Sequence, residues 1–119
     1  MSLPLDLQMM LLDNLTWQDY VAFALAGYSD LQLRHADRFP RITRYMLAVL
    51  RSTSAANMND PLSTLPNEMI EHIARYIDRR ALMNWVFAHY PTLSARRLVP
   101  PMTWRNVTQI YLAWLRRTS

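Results

Sequence analysis

The chain repeats itself. Residues 3–34, LPLDLQMMLLDNLTWQDYVAFALAGYSDLQLR, lie without a gap on residues 65–96, LPNEMIEHIARYIDRRALMNWVFAHYPTLSAR, at an offset of 62. Leu3/Leu65, Pro4/Pro66, Ala26/Ala88, Tyr28/Tyr90, Leu31/Leu93 and Arg34/Arg96 are identical, and Leu7 meets Met69, Leu11 meets Ile73 and Phe23 meets Trp85. Apolar periodicity alone would align the apolar positions of any two amphipathic helices. It would not also align Leu-Pro and Tyr-x-x-Leu-x-x-Arg in the same order. Further on, TRYMLAVLRSTS from Thr43 lies on TQIYLAWLRRTS from Thr108, at an offset of 65, with the shift near Val99-Pro100-Pro101. The sequence therefore predicts two copies of one unit, residues 1–54 and 65–119, joined by a linker of loop composition at 55–64.

Each unit reads as three helices. In the first copy they run from about Pro4 to Asn14, from a Thr16 cap to Gly27, and from Pro40 to Arg51. Thr16 and Asp19 form a capping-box-like pair, and Gly27 is expected to close the second helix in the left-handed conformation. In the second copy the helices are expected at about Pro66–Ile77, Arg79–His89 and Thr103–Arg117, with Asp78 as the N-cap of the middle one. Pro91, Pro100 and Pro101 are expected to keep the connecting segment irregular. A single glycine and an abundance of Leu, Ala, Met and Arg point to the same all-α class.

The stretch Leu65–Ala88 carries more specific information. Leu-Pro opens it, Glu68 follows two positions after the proline, and Met69, Ile70, Ile73, Tyr76 and Ile77 recur at helical spacing before Asp78 starts the next helix. This pattern resembles the start of an F-box, closest to fungal F-box-like sequences. The resemblance implies two tandem three-helix F-box-like units and a protein-interaction module. The partner it implies is a Skp-type adaptor, and through it a cullin of a RING ubiquitin ligase, with a substrate protein held elsewhere. By the same resemblance the adaptor-facing residues are Leu3, Pro4, Leu7 and Leu11 in the first copy. In the second they are Leu65, Pro66, Glu68, Met69 and Ile73. The physical logic is a helix laid in a groove, its entry angle set by the proline and its apolar anchors one turn apart. The first helices differ. That of copy two has a polar face of Glu68, Glu71, His72 and Arg75. That of copy one is apolar nearly all round, which predicts burial on both sides, against its own unit and against the other copy or a partner.

Composition excludes several chemistries. No cysteine is present, so there is no thiol nucleophile, disulfide framework or Cys-ligated zinc. His35, His72 and His89 are scattered, and no G-x-S-x-G, H-E-x-x-H or phosphate-binding glycine loop occurs. The expectation is a non-enzyme without metal or cofactor. No apolar run approaches the ~20 residues of a membrane span, and the N-terminus lacks a basic signal-peptide region, so an intracellular protein, cytoplasmic or nuclear, is expected. The net charge of +4 lies entirely in the second half, and every basic side chain is Arg. Codon bias is the first reading of the missing lysines, and a ligase component without ubiquitin acceptors is the sharper alternative. The alternatives to adaptor docking are a standalone helical scaffold and a nucleic-acid binder built from Arg79-Arg80, Arg96-Arg97, Arg105 and Arg116-Arg117 near Trp85, Trp104, Trp114 and Tyr111. The tryptophans fall at apolar helical spacing and are expected in the core.

Overall fold

The computed structural model describes residues 4–51 and 60–116. Among the described residues it is all-α, with no strand. Pro4 precedes α1 (Leu5–Asp13), where its carbonyl accepts from Gln8 N at 3.0 Å. Thr16 caps α2 (Trp17–Ala26), its hydroxyl accepting from Asp19 N at 3.2 Å. In the second half α5 (Asn67–Tyr76) follows Pro66, and Asp78 caps α6 (Arg79–Ala88) by accepting from Arg80 N at 2.9 Å. These four starts form two pairs at the 62-residue offset, Pro4 with Pro66 and Thr16 with Asp78.

Among the described residues each half holds four α-helices rather than three. Gly27 does not close α2 in the left-handed conformation: at φ −132° and ψ 30° it bends the chain into a further helix, α3 (Tyr28–Arg34). His89 does the same at φ −116° and ψ 16°, leading into α7 (Tyr90–Ala95). Pro91 does not break that helix, because it sits in the first turn, where an N–H has no intrahelical acceptor. The last helices are α4 (Arg44–Arg51) and α8 (Trp104–Arg116).

The register of the last helices is corrected as well. The hydroxyl of Thr43 accepts from Met46 N at 3.1 Å, and that of Thr103 from Asn106 N at 3.2 Å, so these two threonines are the equivalent N-caps. The Tyr28 hydroxyl donates to Pro40 O and the Tyr90 hydroxyl to Pro100 O. Both markers give an offset of 60. Thr108, matched to Thr43 by sequence, lies inside α8 and bonds back to Trp104 O at 2.9 Å.

The halves exchange their last helices. α8 packs on α2 and α3, whereas α4 packs on α6 and α7. The contact is chemically matched at each end. Ser29 N, free of an intrahelical acceptor in the first turn of α3, donates to Gln109 Oε1 of α8 at 3.1 Å. At the equivalent place α7 carries Pro91, which has no N–H, and α4 presents apolar Val49 to the same small pocket. Trp17 meets Trp85 edge to face at 6.3 Å, and Tyr28 meets Phe87 at 5.3 Å, both across the two halves. Tyr20, Val21, Leu25, Tyr28, Leu82, Val86 and Phe87 are fully buried in one continuous core. The two halves on either side of the expected linker at 55–64 therefore share one core. Residues 55–59 lie outside the described residues, and Pro61–Thr64 form a 3-10 turn that buries Leu62.

Candidate partner-docking surface

α1 divides its apolar residues between two environments. Leu12 is buried, with Met9 and, just beyond the helix, Leu15 packed against the core. Leu7, Met10 and Leu11 are 45 %, 60 % and 57 % exposed. Their spacing of three and four residues puts them on one helical face. The other side of α1 is tied down by polar contacts. Asp13 forms a two-pronged ion pair with Arg38, and Gln8 Oε1 lies 3.3 Å from Nε2 of the buried His35. Hydrogen bonding to Asp13 raises the Arg38 pKa above its ordinary value, against the opposing effect of burial.

α5 is anchored differently. Ile70 and Ala74 are buried, while Leu65 and Ile73 are half-buried against the core. Arg96 clamps the turn leading into the helix: its guanidinium donates to Ser63 O at 2.7 Å, to Leu65 O, and to Asn67 Oδ1 at 3.3 Å. Its sequence counterpart Arg34 pairs with Asp30 at 3.3 Å instead. Just upstream, Asp60 accepts from Leu62 N at 3.0 Å and from the Thr92 hydroxyl at 2.7 Å, and meets His89 Nδ1 at 2.7 Å. Burial alone would raise the Asp60 pKa. The bonds from Thr92, Leu62 and His89, with the His89 charge, outweigh it and hold the carboxyl below its ordinary value.

Of the residues expected to face a partner, Pro4, Leu7, Leu11, Pro66, Glu68 and Met69 are exposed. Leu65 and Ile73 turn largely inward, and Leu3 lies outside the described residues. Sequence matching missed Met10, which completes the α1 face, and Tyr76, which is 79 % exposed on α5 with its ring tilted against that of His72 at 4.7 Å. The heptad-like spacing of Leu7, Met10 and Leu11 held the signal for Met10. The C-terminal ends of α1 and α5 come together where Arg79 donates to Leu15 O at 2.8 Å and lies over the Tyr20 ring at 5.0 Å.

One arginine of each basic pair has a structural duty. Arg79, Arg96 and Arg116 each donate to backbone carbonyls, Arg116 to Ser29 O at 2.9 Å. Trp17 is buried and Trp85 and Trp114 are partly buried, but Trp104, expected in the core, is 85 % exposed because it opens α8 in its first turn. Among the described residues no group of three His, Asp or Glu side chains could hold a metal ion, and no helix is long and apolar enough to cross a membrane. Comparison with models of protein families, with curated proteins and with solved structures finds no match.

Proposed function

We propose that the chain docks through the exposed face of α1 onto a Skp-type adaptor, as an F-box-like subunit of a cullin–RING ubiquitin ligase. The observation that carries this reading is the trio Leu7, Met10 and Leu11, left exposed on one face directly after a Pro4 start. Such a face suits a hydrophobic groove. Full burial of an exposed Leu or Met side chain is worth about 1.5–3 kcal/mol. Three half-exposed anchors can therefore supply several kcal/mol toward the ~8 kcal/mol of a micromolar complex. α5 offers less: Met69 and Tyr76 stand among Glu68, His72 and Arg75, and Leu65 and Ile73 are engaged internally. Copy one is the docking copy in this reading, and copy two completes the core.

The test is size-exclusion chromatography of the chain with a purified Skp-type adaptor. Wild type and Met69→Asp are expected to co-elute with it, and Leu7→Asp/Leu11→Asp to elute alone with unchanged circular dichroism. A wild type that forms no complex sinks the proposal.

One observation favours a nucleic-acid reading: Trp104 and Tyr45, 85 % and 71 % exposed, each adjoin an exposed arginine, Arg105 and Arg44. Arg–aromatic pairs of this kind hold phosphates and stack bases. The use of Arg79, Arg96 and Arg116 on backbone carbonyls weighs against it. Binding of single-stranded oligonucleotide that weakens steeply with salt and depends on Trp104 would favour it over adaptor docking.

A further inference from the structure

An open cleft of about 550 Å³ separates α2 from the segment that follows α7. Ala22 forms one wall and the run 98–101 the other, with Gln18, Ser94 and Arg97 as its polar groups. Leu98 and Val99 are buried, so that wall is fixed. Gln18 spans the cleft and is already engaged, its Nε2 lying 3.4 Å from both Glu71 Oε1 and Leu98 O. Among the described residues no carboxylate lines the cleft, the nearby Glu71 being engaged by Gln18. Among the described residues Arg97 is the one charged side chain lining it, and no ion pair engages it.

Arg97 also occupies an unfavourable backbone position. At φ 59° it is the one non-glycine residue with positive φ among the described residues. It closes α7 in a Schellman arrangement: Arg97 N donates to Ser94 O at 3.0 Å and Leu98 N to Leu93 O at 2.9 Å. Glycine fits this left-handed position without strain, whereas a side chain costs conformational energy there. The charge of Arg97 suits the C-terminal end of α7, and beyond that the arginine adds a cation at the rim of the cleft. Strain of this kind gathers at ligand sites.

The segment offers few backbone groups to a ligand. Pro100 and Pro101 have no N–H, Pro100 O accepts from Tyr90, and Pro101 O accepts from Asn106 at 3.4 Å. A strand-like backbone ladder is therefore unavailable, and recognition falls to apolar contact and one charge. An open cleft cannot enclose most of a small ligand as an ordinary pocket does, but it can seat two side chains of a chain passing over it. We propose that this cleft is a second docking site, for an extended peptide segment of a partner protein that sets a carboxylate beside an apolar side chain. The site shares no residue with the α1 face and stands independently of adaptor docking.

The test is fluorescence anisotropy of the full chain with a labelled decapeptide of alternating glutamate and leucine, beside its glutamine–leucine counterpart. Saturable binding is expected, at least tenfold weaker for the glutamine peptide and for Arg97→Gly and Arg97→Gln. Arg97→Gly should at the same time raise the thermal midpoint by a few degrees, because the strain is relieved. Arg41→Gln, an exposed arginine outside the cleft, should bind as the wild type does. Absence of binding overturns the proposal. So does an Arg41→Gln loss equal to that of Arg97→Gly, which marks general attraction to a basic surface, and so does binding that Arg97→Gly leaves intact.

Discussion

The exchange of last helices can be tested at one hydrogen bond. Gln109 of the second half accepts from Ser29 N of the first, and Ser29 is only 3 % exposed. Gln109→Val leaves a buried N–H without its acceptor, at a cost of about 1–3 kcal/mol. Ser29→Pro removes the donor at a helix position that tolerates proline and leaves a half-buried Gln109 amide that can reach water. Its cost is the net worth of one hydrogen bond, about 1 kcal/mol. The double variant reproduces the pair already used at the other end of the molecule, Pro91 with Val49. It has neither an orphan donor nor a stranded acceptor, and should return close to wild type. Urea denaturation of the four proteins gives the cycle, with an expected coupling equal to the sum of the two single losses, about 2–4 kcal/mol in the direction of rescue. Strictly additive losses would refute the reasoning, because residues 29 and 109 would then not share a contact.

Three further outcomes follow from the same structure. Gly27→Ala should stabilise the fold by about 0.4–1 kcal/mol, since a Cβ there meets no atom within 4 Å and φ is negative; a loss in thermal denaturation would restore the left-handed cap expected from sequence. Phe87→Ala should cost about 3–5 kcal/mol and, because Phe87 packs on Tyr28 across the halves, still give one unfolding transition in calorimetry rather than two. Asp60 titrates below its ordinary 3.8 in the folded chain, so its contribution is present above the unfolded value and is lost as pH falls through the folded one. Midpoints measured from about pH 5 downward should fall less steeply for Asp60→Asn than for wild type.

Much of the helical layout was legible in the sequence, because local chemistry dictates it. Thr16 and Asp78 announce their helices as caps, and the two Leu-Pro starts are visible as a repeat. α3 and α7 were not, because Gly27 and Pro91 look like terminators when φ and position in the turn are unknown. The last helices were matched five residues out of register, since shared Leu-Ala-x-Leu-Arg letters outscored one threonine whose meaning lies in a cap bond. The exchange itself leaves almost no trace. The same apolar face serves whether a helix covers its own half or the other, and only Ser29/Gln109 against Pro91/Val49 records the difference. Leu7 and Leu11, expected from the sequence to face a partner, are exposed. The inward turn of Leu65 and Ile73 was not legible, because periodicity does not say which of two apolar stripes meets the core.

The most direct measurement of the docking account is methyl NMR of the leucine- and methionine-labelled chain titrated with unlabelled Skp-type adaptor. The account predicts saturable shifts at Leu7, Met10 and Leu11, with the core methyls of Leu25 and Leu82 unmoved. Spectra that stay unchanged, or that move only at α5 or at the start of α8, would contradict it.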